Sequence, residues 1–401
     1  MGLNNTPSGN RIHIGFFGKR NAGKSSLVNA VTGQELAVVS ETKGTTTDPV
    51  YKAMELLPLG PVMMIDTPGM DDEGELGEQR IQKAKQVLNK TDIAVLVIDG
   101  TVGITEPDKE LVTLFKEKEV PYLIVYNKAD LKDVSERSYE NNEIAVSSLT
   151  KEGIHELKEK IAHFVKVEES RFQIVGDLLN PLDVVVLVIP IDSAAPKGRL
   201  ILPQQQVIRD ILEVGAVSVV VRETELKETL AKLGTNPHMV ITDSQAFKQV
   251  SADTPEDVYL TSFSILMARF KGFLETSVKG VAMLNNIQSG DKILIAEGCT
   301  HHRQCDDIGT VKIPNWICKH TGQNPEFVFC SGTEFPEDLS PYRLVIHCGG
   351  CMLNEREMRY RMKCAVDQNV PFTNYGIAIA HMNGILERSI EVIPNMKGIL
   401  L

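Results

Sequence analysis

The segment Gly18-Lys19-Arg20-Asn21-Ala22-Gly23-Lys24-Ser25 sets four residues between two glycines and then ends in Lys-Ser. Backbone N–H groups of such a loop cradle phosphate oxygens. Lys24 offers a point charge to the β- and γ-phosphates, and the Ser25 hydroxyl can bind Mg²⁺. Gly18, Asn21, Ala22, Gly23, Lys24, Ser25 and Ser26 are therefore the candidate phosphate-binding residues. Asp66-Thr67-Pro68-Gly69 follows the apolar run Val62–Ile65. There Asp66 can hold Mg²⁺ through water, and the Gly69 N–H can meet the γ-phosphate. Asn127-Lys128-Ala129-Asp130 follows another apolar run. The Asp130 carboxylate can accept both donors on the guanine Watson–Crick edge, N1–H and the 2-amino group. Adenine lacks that pair, so the motif selects GTP over ATP. Ser147-Ser148-Leu149 suits the loop whose backbone touches the guanine oxygen, and Thr45-Thr46-Thr47 after Gly44 suits a switch that senses the γ-phosphate.

A second constellation lies far downstream. Cys299-Thr300-His301 follows a strand expected at Lys292–Ala296, and His347-Cys348-Gly349-Gly350-Cys351 follows one expected at Arg343–Ile346. Both clusters thus sit at C-terminal strand ends, where open parallel sheets place ligand sites. The glycines at 349 and 350 let the chain turn so that Cys348 and Cys351 can aim at one metal. Thiolates in this pattern suit an iron–sulfur cluster or zinc. Cys305, Cys318, Cys330 and Cys364 lack such framing, and Cys364 falls on an expected helix, Asn354–Asp367.

The elements that must carry these residues form three blocks, which predict an α/β protein of three domains. In residues 1–168, the runs Ile12–Phe17, Val62–Ile65, Ile93–Ile98, Tyr122–Tyr126 and Ile144–Val146 alternate with helical stretches, the last at Ile154–Val165. That pattern predicts a mostly parallel sheet covered on both faces. Residues 172–258 read as a small βαβ domain. Its strands fall at Val184–Ile189, Val217–Val221 and Met239–Ile241, with helices at Gln204–Leu212 and Glu225–Leu233. A half-sheet of this size often needs a partner to bury its edge, which suits a structural role in pairing two subunits. Residues 259–401 form the metal block, opened by a helix carrying Phe263, Leu266, Phe270 and Phe273 as core.

Composition narrows the function. The 401 residues carry a formal net charge of -11, which disfavours a nucleic-acid binder. There is no apolar run long enough to span a bilayer and no apolar signal core in Met1 to Asn10, so a cytoplasmic protein without membrane contact is expected. The 7 Cys all lie at or after residue 299, which in a cytosolic chain suggests metal or redox chemistry rather than disulfides.

The first block resembles the TrmE–Era branch of GTPases, through Gly18–Ser25, Gly44–Asp48, Asp66–Gly69 and Asn127–Asp130. The resemblance implies catalytic roles for Lys24, Thr46, Asp66 and Gly69, with Thr46 and Ser25 on Mg²⁺. Met70 stands where many GTPases place a water-orienting Gln, which implies slow hydrolysis. Asn21 stands where potassium-activated members carry a K⁺-coordinating Asn, which implies faster hydrolysis in K⁺ than in Na⁺. With the Cys-x-His and His-Cys-x-x-Cys clusters added, the whole chain resembles the HydF family of [FeFe]-hydrogenase maturation GTPases. That resemblance implies a [4Fe–4S] cluster held by Cys299, Cys348 and Cys351. His301 and His347 are candidates for a fourth or exchangeable ligand, with Asp306 and Asp307 behind them. It also implies a scaffold role: a diiron precursor carrying CO, CN⁻ and a bridging dithiolate arrives from two radical-SAM maturases and leaves for apo-hydrogenase. The homodimer, through the middle block, is likewise what the family resemblance implies. The alternatives are an RNA-linked TrmE–Era-like GTPase, acting in tRNA modification or ribosome assembly, and a structural zinc site in place of the cluster.

Overall fold

The computed structural model describes residues 11–33, 49–57, 59–69, 85–131, 139–165, 173–191, 200–298, 307–332, 334–396 and 398–399. The chain divides into two compact units, 1–169 and 170–401.

The first unit is a six-stranded sheet. Its strands are β1 (Ile12–Phe17), β2 (Val50–Leu56), β3 (Gly60–Asp66), β4 (Ile93–Asp99), β5 (Tyr122–Asn127) and β6 (Glu143–Ala145), in the spatial order β2-β3-β1-β4-β5-β6. All neighbours are parallel except β2, which runs antiparallel to β3. Residues 93–98 of β4 are all buried, because helices cover both sheet faces. Alternation sorts the core into two layers. Ile14, Phe16 and Val95 pack with Leu27 and Val31 of helix Lys24–Thr32 and Leu157 of helix Ile154–Val165. Phe17, Ile65 and Leu96 pack on the other face with Leu111 and Phe115 of helix Glu106–Glu117. The sequence reading missed β2. It alternates exposed and partly buried residues and carries Lys52 and Glu55, so it never forms an apolar run.

The second unit holds two four-stranded sheets, both wholly parallel. The first has β7 (Val184–Val188), β8 (Val217–Val221), β9 (Met239–Thr242) and β10 (Tyr259–Ser262) in the order β10-β9-β7-β8. The expected boundary after residue 258 therefore falls at the wrong place. Tyr259–Ser262 pairs with Met239–Thr242 and completes the middle sheet. The last sheet has β11 (Lys292–Glu297), β12 (Glu326–Ser331), β13 (Leu344–His347) and β14 (Phe372–Asn374) in the order β12-β11-β13-β14.

These two sheets make one unit because they share one core. Val186, Val240 and Phe247 belong to the same apolar cluster as Ile293, Ile295, Val345 and Phe372. The link is the segment expected as one helix, which is two: Phe263–Phe270 and Leu274–Val281. Phe263, Leu266 and Phe273 are buried as expected, and Phe270 is partly buried. Phe273 meets Phe372 edge to face with centroids 6.2 Å apart. Among the described residues no helix is long and apolar enough to cross a membrane.

Candidate nucleotide site and metal loop

β1 delivers the chain to Gly18, and helix Lys24–Thr32 starts at Gly23. Gly23 has φ 91°, and a Cβ there would lie 2.2 Å from Asn127 Nδ2, so only glycine suits the position. Lys24 is buried, and its Nζ donates to the carbonyls of Gly18 (2.9 Å) and Lys19 (2.7 Å). The ammonium is thus held inside the loop that is to receive phosphate. Asn21 is exposed with φ 60°, a conformation Asn tolerates in turns. Ala22 is buried, Ser26 lies in the first helical turn, and Ser25 Oγ donates to Asp66 Oδ2 at 2.6 Å. Asp66 Oδ1 is buried with no partner among the described residues. Burial raises the Asp66 pKa against the opposing pull of the Ser25 hydrogen bond and the Lys24 charge. A buried carboxylate oxygen without a donor beside a serine hydroxyl fits a Mg²⁺ ion or its water. Gly69 packs against the same loop: a Cβ there would lie 2.8 Å from Arg20 Cα and N.

The base-recognition loops are braced by one fully buried side chain. Asn127 Nδ2 donates to the Ala22 carbonyl (3.1 Å), and its Oδ1 accepts from the Ser148 N–H (3.0 Å). Three motifs far apart in sequence are thereby fixed together. Asp130 Oδ1 accepts from Ser147 Oγ at 2.5 Å, which orients the carboxylate. Lys128, at φ 63°, donates to Asp99 Oδ2 at 2.6 Å. Burial pushes the Asp99 pKa up, but hydrogen bonds from Lys128 and Thr101 outweigh it, so the net shift is downward. One expectation changes here. The Ser147 N–H donates to Glu152 O (3.0 Å) and the Ser148 N–H to Asn127, so both brace the loop instead of facing the base. Thr46 and Met70 lie outside the described residues.

In the second unit, β13 ends at His347 and the chain turns through Cys348–Cys351. The Cys348 N–H donates to Ala296 O of β11 at 2.8 Å, which seats the loop against the neighbouring strand end. Cys348 Sγ accepts from the N–H groups of Gly298 (3.1 Å) and Gly350 (3.3 Å). Burial of that sulfur pushes the thiol up to about 11, against the pull of the two donors. Gly298 immediately precedes Cys299, so the first cluster joins the chain at an atom already in contact with the second. Cys299, His301, Cys305 and Asp306 lie outside the described residues. Among the described residues no group of three or more His, Cys, Asp or Glu could hold a metal ion.

His347 corrects an expectation. It is 0% exposed, its Nδ1 lies 2.8 Å from Cys348 O, and its Nε2 lies 3.1 Å from Arg361 Nη1. Arginine only donates, so Nε2 accepts and Nδ1–H donates. Both nitrogens are used, and no lone pair is left for iron. Burial, with the Arg361 charge adding, drives the His347 pKa down to about 3. Arg361 also donates to Glu357 Oε1 (2.9 Å) and Gly332 O (2.5 Å). Asp307, a weaker candidate, caps the next turn by accepting from Thr310 N and Oγ1, both at 2.8 Å. Lys271 is buried and donates to Gly350 O and to Leu353 O (2.9 Å), one on either side of Cys351. Burial lowers its pKa to about 8, against the pull of Cys351 and Cys348. Paired N–H donors on a cysteine sulfur and a buried ammonium beside the thiols make a donor set that fits an anionic iron–sulfur group.

Comparison with known families matches three segments of the chain. Residues 174–272 match the family model described as the hydrogen maturase F dimerization domain, and residues 275–392 match the hydrogen maturase F tetramerization domain. The chain belongs to the hydrogenase maturase F family. Residues 13–128 match the model described as a 50S ribosome-binding GTPase, so the first unit of this maturase F chain is a GTPase domain. Curated relatives align with the GTPase portion. The tRNA modification GTPase MnmE of Lawsonia intracellularis is 34% identical over 177 residues, covering 42% of this chain and 38% of its own length. MnmE of Clostridioides difficile is 34% identical over 157 residues, covering 37% and 34%. GTPase Der of Kosmotoga olearia is 32% identical over 189 residues, covering 43% and 42%. This chain therefore spans about two-fifths or less of the relatives it matches.

Two residues of maturase F, Arg361 and Lys271, escaped the sequence reading, and the Ser147-Ser148-Leu149 loop is sharpened to one backbone group. Leu149 is exposed, and its N–H has no acceptor among the described residues. Nothing in its side chain signals this, since the group is backbone. Arg361 sits in the strongly charged helix Glu355–Asp367 and Lys271 caps the apolar helix Phe263–Phe270, neither with a motif around it. Their burial emerges only when distant segments pack.

Proposed function

We propose that this maturase F chain is a GTPase scaffold that receives a diiron precursor from two radical-SAM maturases and delivers it to apo-[FeFe]-hydrogenase. The observation that carries this reading is the joint presence of a guanine-specific phosphate site and the Cys348–Cys351 loop, the latter within the maturase F-specific segment. In the GTPase domain, the phosphate loop, Lys24 and the Ser25–Asp66 pair bind Mg²⁺ and GTP, and Asp130 with the Leu149 N–H reads guanine. Thr46 and the Gly69 N–H meet the γ-phosphate. Asn21 is the candidate ligand for a K⁺ ion, and that ion supplies the positive charge that other GTPases take from an arginine finger. In the metal block, Cys348 and Cys351 with Cys299 hold a [4Fe–4S] cluster, whose iron without a cysteine offers an exchangeable position. His301 stays a candidate there, whereas His347 fixes the loop from beneath. Nucleotide state biases partner exchange through the switch segment. The protein works in the cytoplasm as a homodimer or higher oligomer, in keeping with the descriptions of the two matched family models. The tRNA-modification likeness is confined to the GTPase portion, and the net charge of -11 suits a protein that leaves nucleic acid alone.

The test is transfer. Protein loaded with the diiron unit by the maturases, then mixed with apo-hydrogenase, should restore H₂ evolution. Cys348→Ala treated the same way should stay at background. Equal activation by the variant would defeat the scaffold reading.

A further inference from the structure

Lys271 is 5% exposed, yet it has no carboxylate within 4.0 Å among the described residues. An ammonium carries three N–H donors. Two are taken by the carbonyls of Gly350 and Leu353. A buried cation compensated only by carbonyls is costly and calls for a counter-charge. Its surroundings narrow what that charge is. Arg361, the other buried cation of this region, has Glu357 as its partner. Glu355, the carboxylate whose charge reaches Lys271, is itself paired with Arg359. Glu297 is held by the Tyr375 hydroxyl at 3.1 Å. The ammonium is anchored on the carbonyls of the loop that carries Cys351 and Cys348, and those two thiols are the other groups whose negative charge, when ionised, acts on it. Connectivity adds a second point. Lys271 falls in the dimerization match, residues 174–272, whereas both of its acceptors fall in the tetramerization match, residues 275–392. One side chain thus ties the metal loop to the neighbouring domain.

We propose that Lys271 is the counter-charge and positioning residue of the metal loop, neutralising part of the negative charge of a thiolate-bound iron–sulfur group at Cys348 and Cys351. This rests on the cluster reading above. One-electron reduction adds a negative charge to such a group. A buried cation nearby stabilises the reduced form more than the oxidised form and holds the reduction potential up. Loss of the cation makes reduction harder.

The experiment is an anaerobic redox titration with dithionite, followed by electron paramagnetic resonance, on the full chain and on Lys271→Met, Lys271→Gln and Lys271→Arg. Iron per chain is measured first on each. The two neutral variants should have midpoints more negative than the native protein, with Lys271→Arg close to native. Loss of iron in both neutral variants with retention in Lys271→Arg supports the same conclusion. Neutral variants with full iron and an unchanged midpoint would overturn it, as would loss of iron in all three, which marks a role in shape rather than charge. A native chain without iron would overturn the cluster reading and this inference together, and that outcome is visible before any variant is compared.

Discussion

The nucleotide site and the cysteine loop use one architectural solution with opposite chemical states. Both sit where parallel strands end, β1, β3 and β5 in one unit and β11 and β13 in the other. In the nucleotide site most polar groups already have partners within the protein. Lys24 rests on loop carbonyls, Asn127 bridges two loops, and Lys128 meets Asp99. The loop is preformed, and Asp66 Oδ1 is its conspicuous unfilled acceptor. The cysteine loop is braced by His347 and Arg361, but it also holds the Lys271 ammonium, which has no carboxylate partner among the described residues. The nucleotide site is paired within the protein, whereas the cysteine loop holds a buried ammonium compensated by carbonyls.

The largest effect should come from the base-reading carboxylate. Asp130→Asn turns an acceptor of two guanine donors into a neutral amide. Charge-assisted hydrogen bonds contribute about 1.5–3 kcal/mol each, so GTP affinity should fall by roughly 100-fold or more. Displacement of a fluorescent GDP analogue reads this directly. Undiminished affinity would break the claim that this loop reads guanine.

A smaller effect tests how far the polar pairs of the nucleotide site lie within reach of solvent. The Lys128 and Asp99 side chains are 31% and 24% exposed, so their pair should contribute only about 0.2–1 kcal/mol. The folded pKa of Asp99 lies below its ordinary 3.8. Its stabilisation is therefore present above pH 3.8 and fades as pH falls through the folded value. Urea unfolding should find Asp99→Asn weaker than native by up to about 1 kcal/mol at neutral pH, with the gap closing below pH 3.8. A gap that stayed constant with pH would mean that Asp99 acts through packing. Either way, the value contrasts with buried Lys271, where the surroundings screen far less.

Legibility in the sequence followed the same divide. The phosphate loop, Asp66–Gly69 and Asn127–Asp130 were readable because each motif is contiguous and its chemistry resides in named side chains. Strands buried on both faces were readable as apolar runs, of which Ile93–Ile98 is the clearest. Four edge strands were not, although the edge strands β6 and β8 were. β2 and β12 are half exposed, β14 has three residues, and β10 has four. Missing β10 misplaced the domain boundary. Around the metal loop, spacing placed Cys348 and Cys351 at a strand end but misjudged His347. A histidine next to a cysteine looks like a ligand until the buried Arg361, fourteen residues on, is seen to occupy its ring nitrogen. Lys271 had no sequence signature, since its meaning depends on carbonyls 79 and 82 residues away.

The central claim is that one chain joins a guanine-nucleotide site to an iron–sulfur site. The most direct test is anaerobic purification of the full protein, followed by its visible spectrum and metal content. A brown protein with about four irons per chain is the expected result. A colourless protein with about one zinc per chain would contradict it.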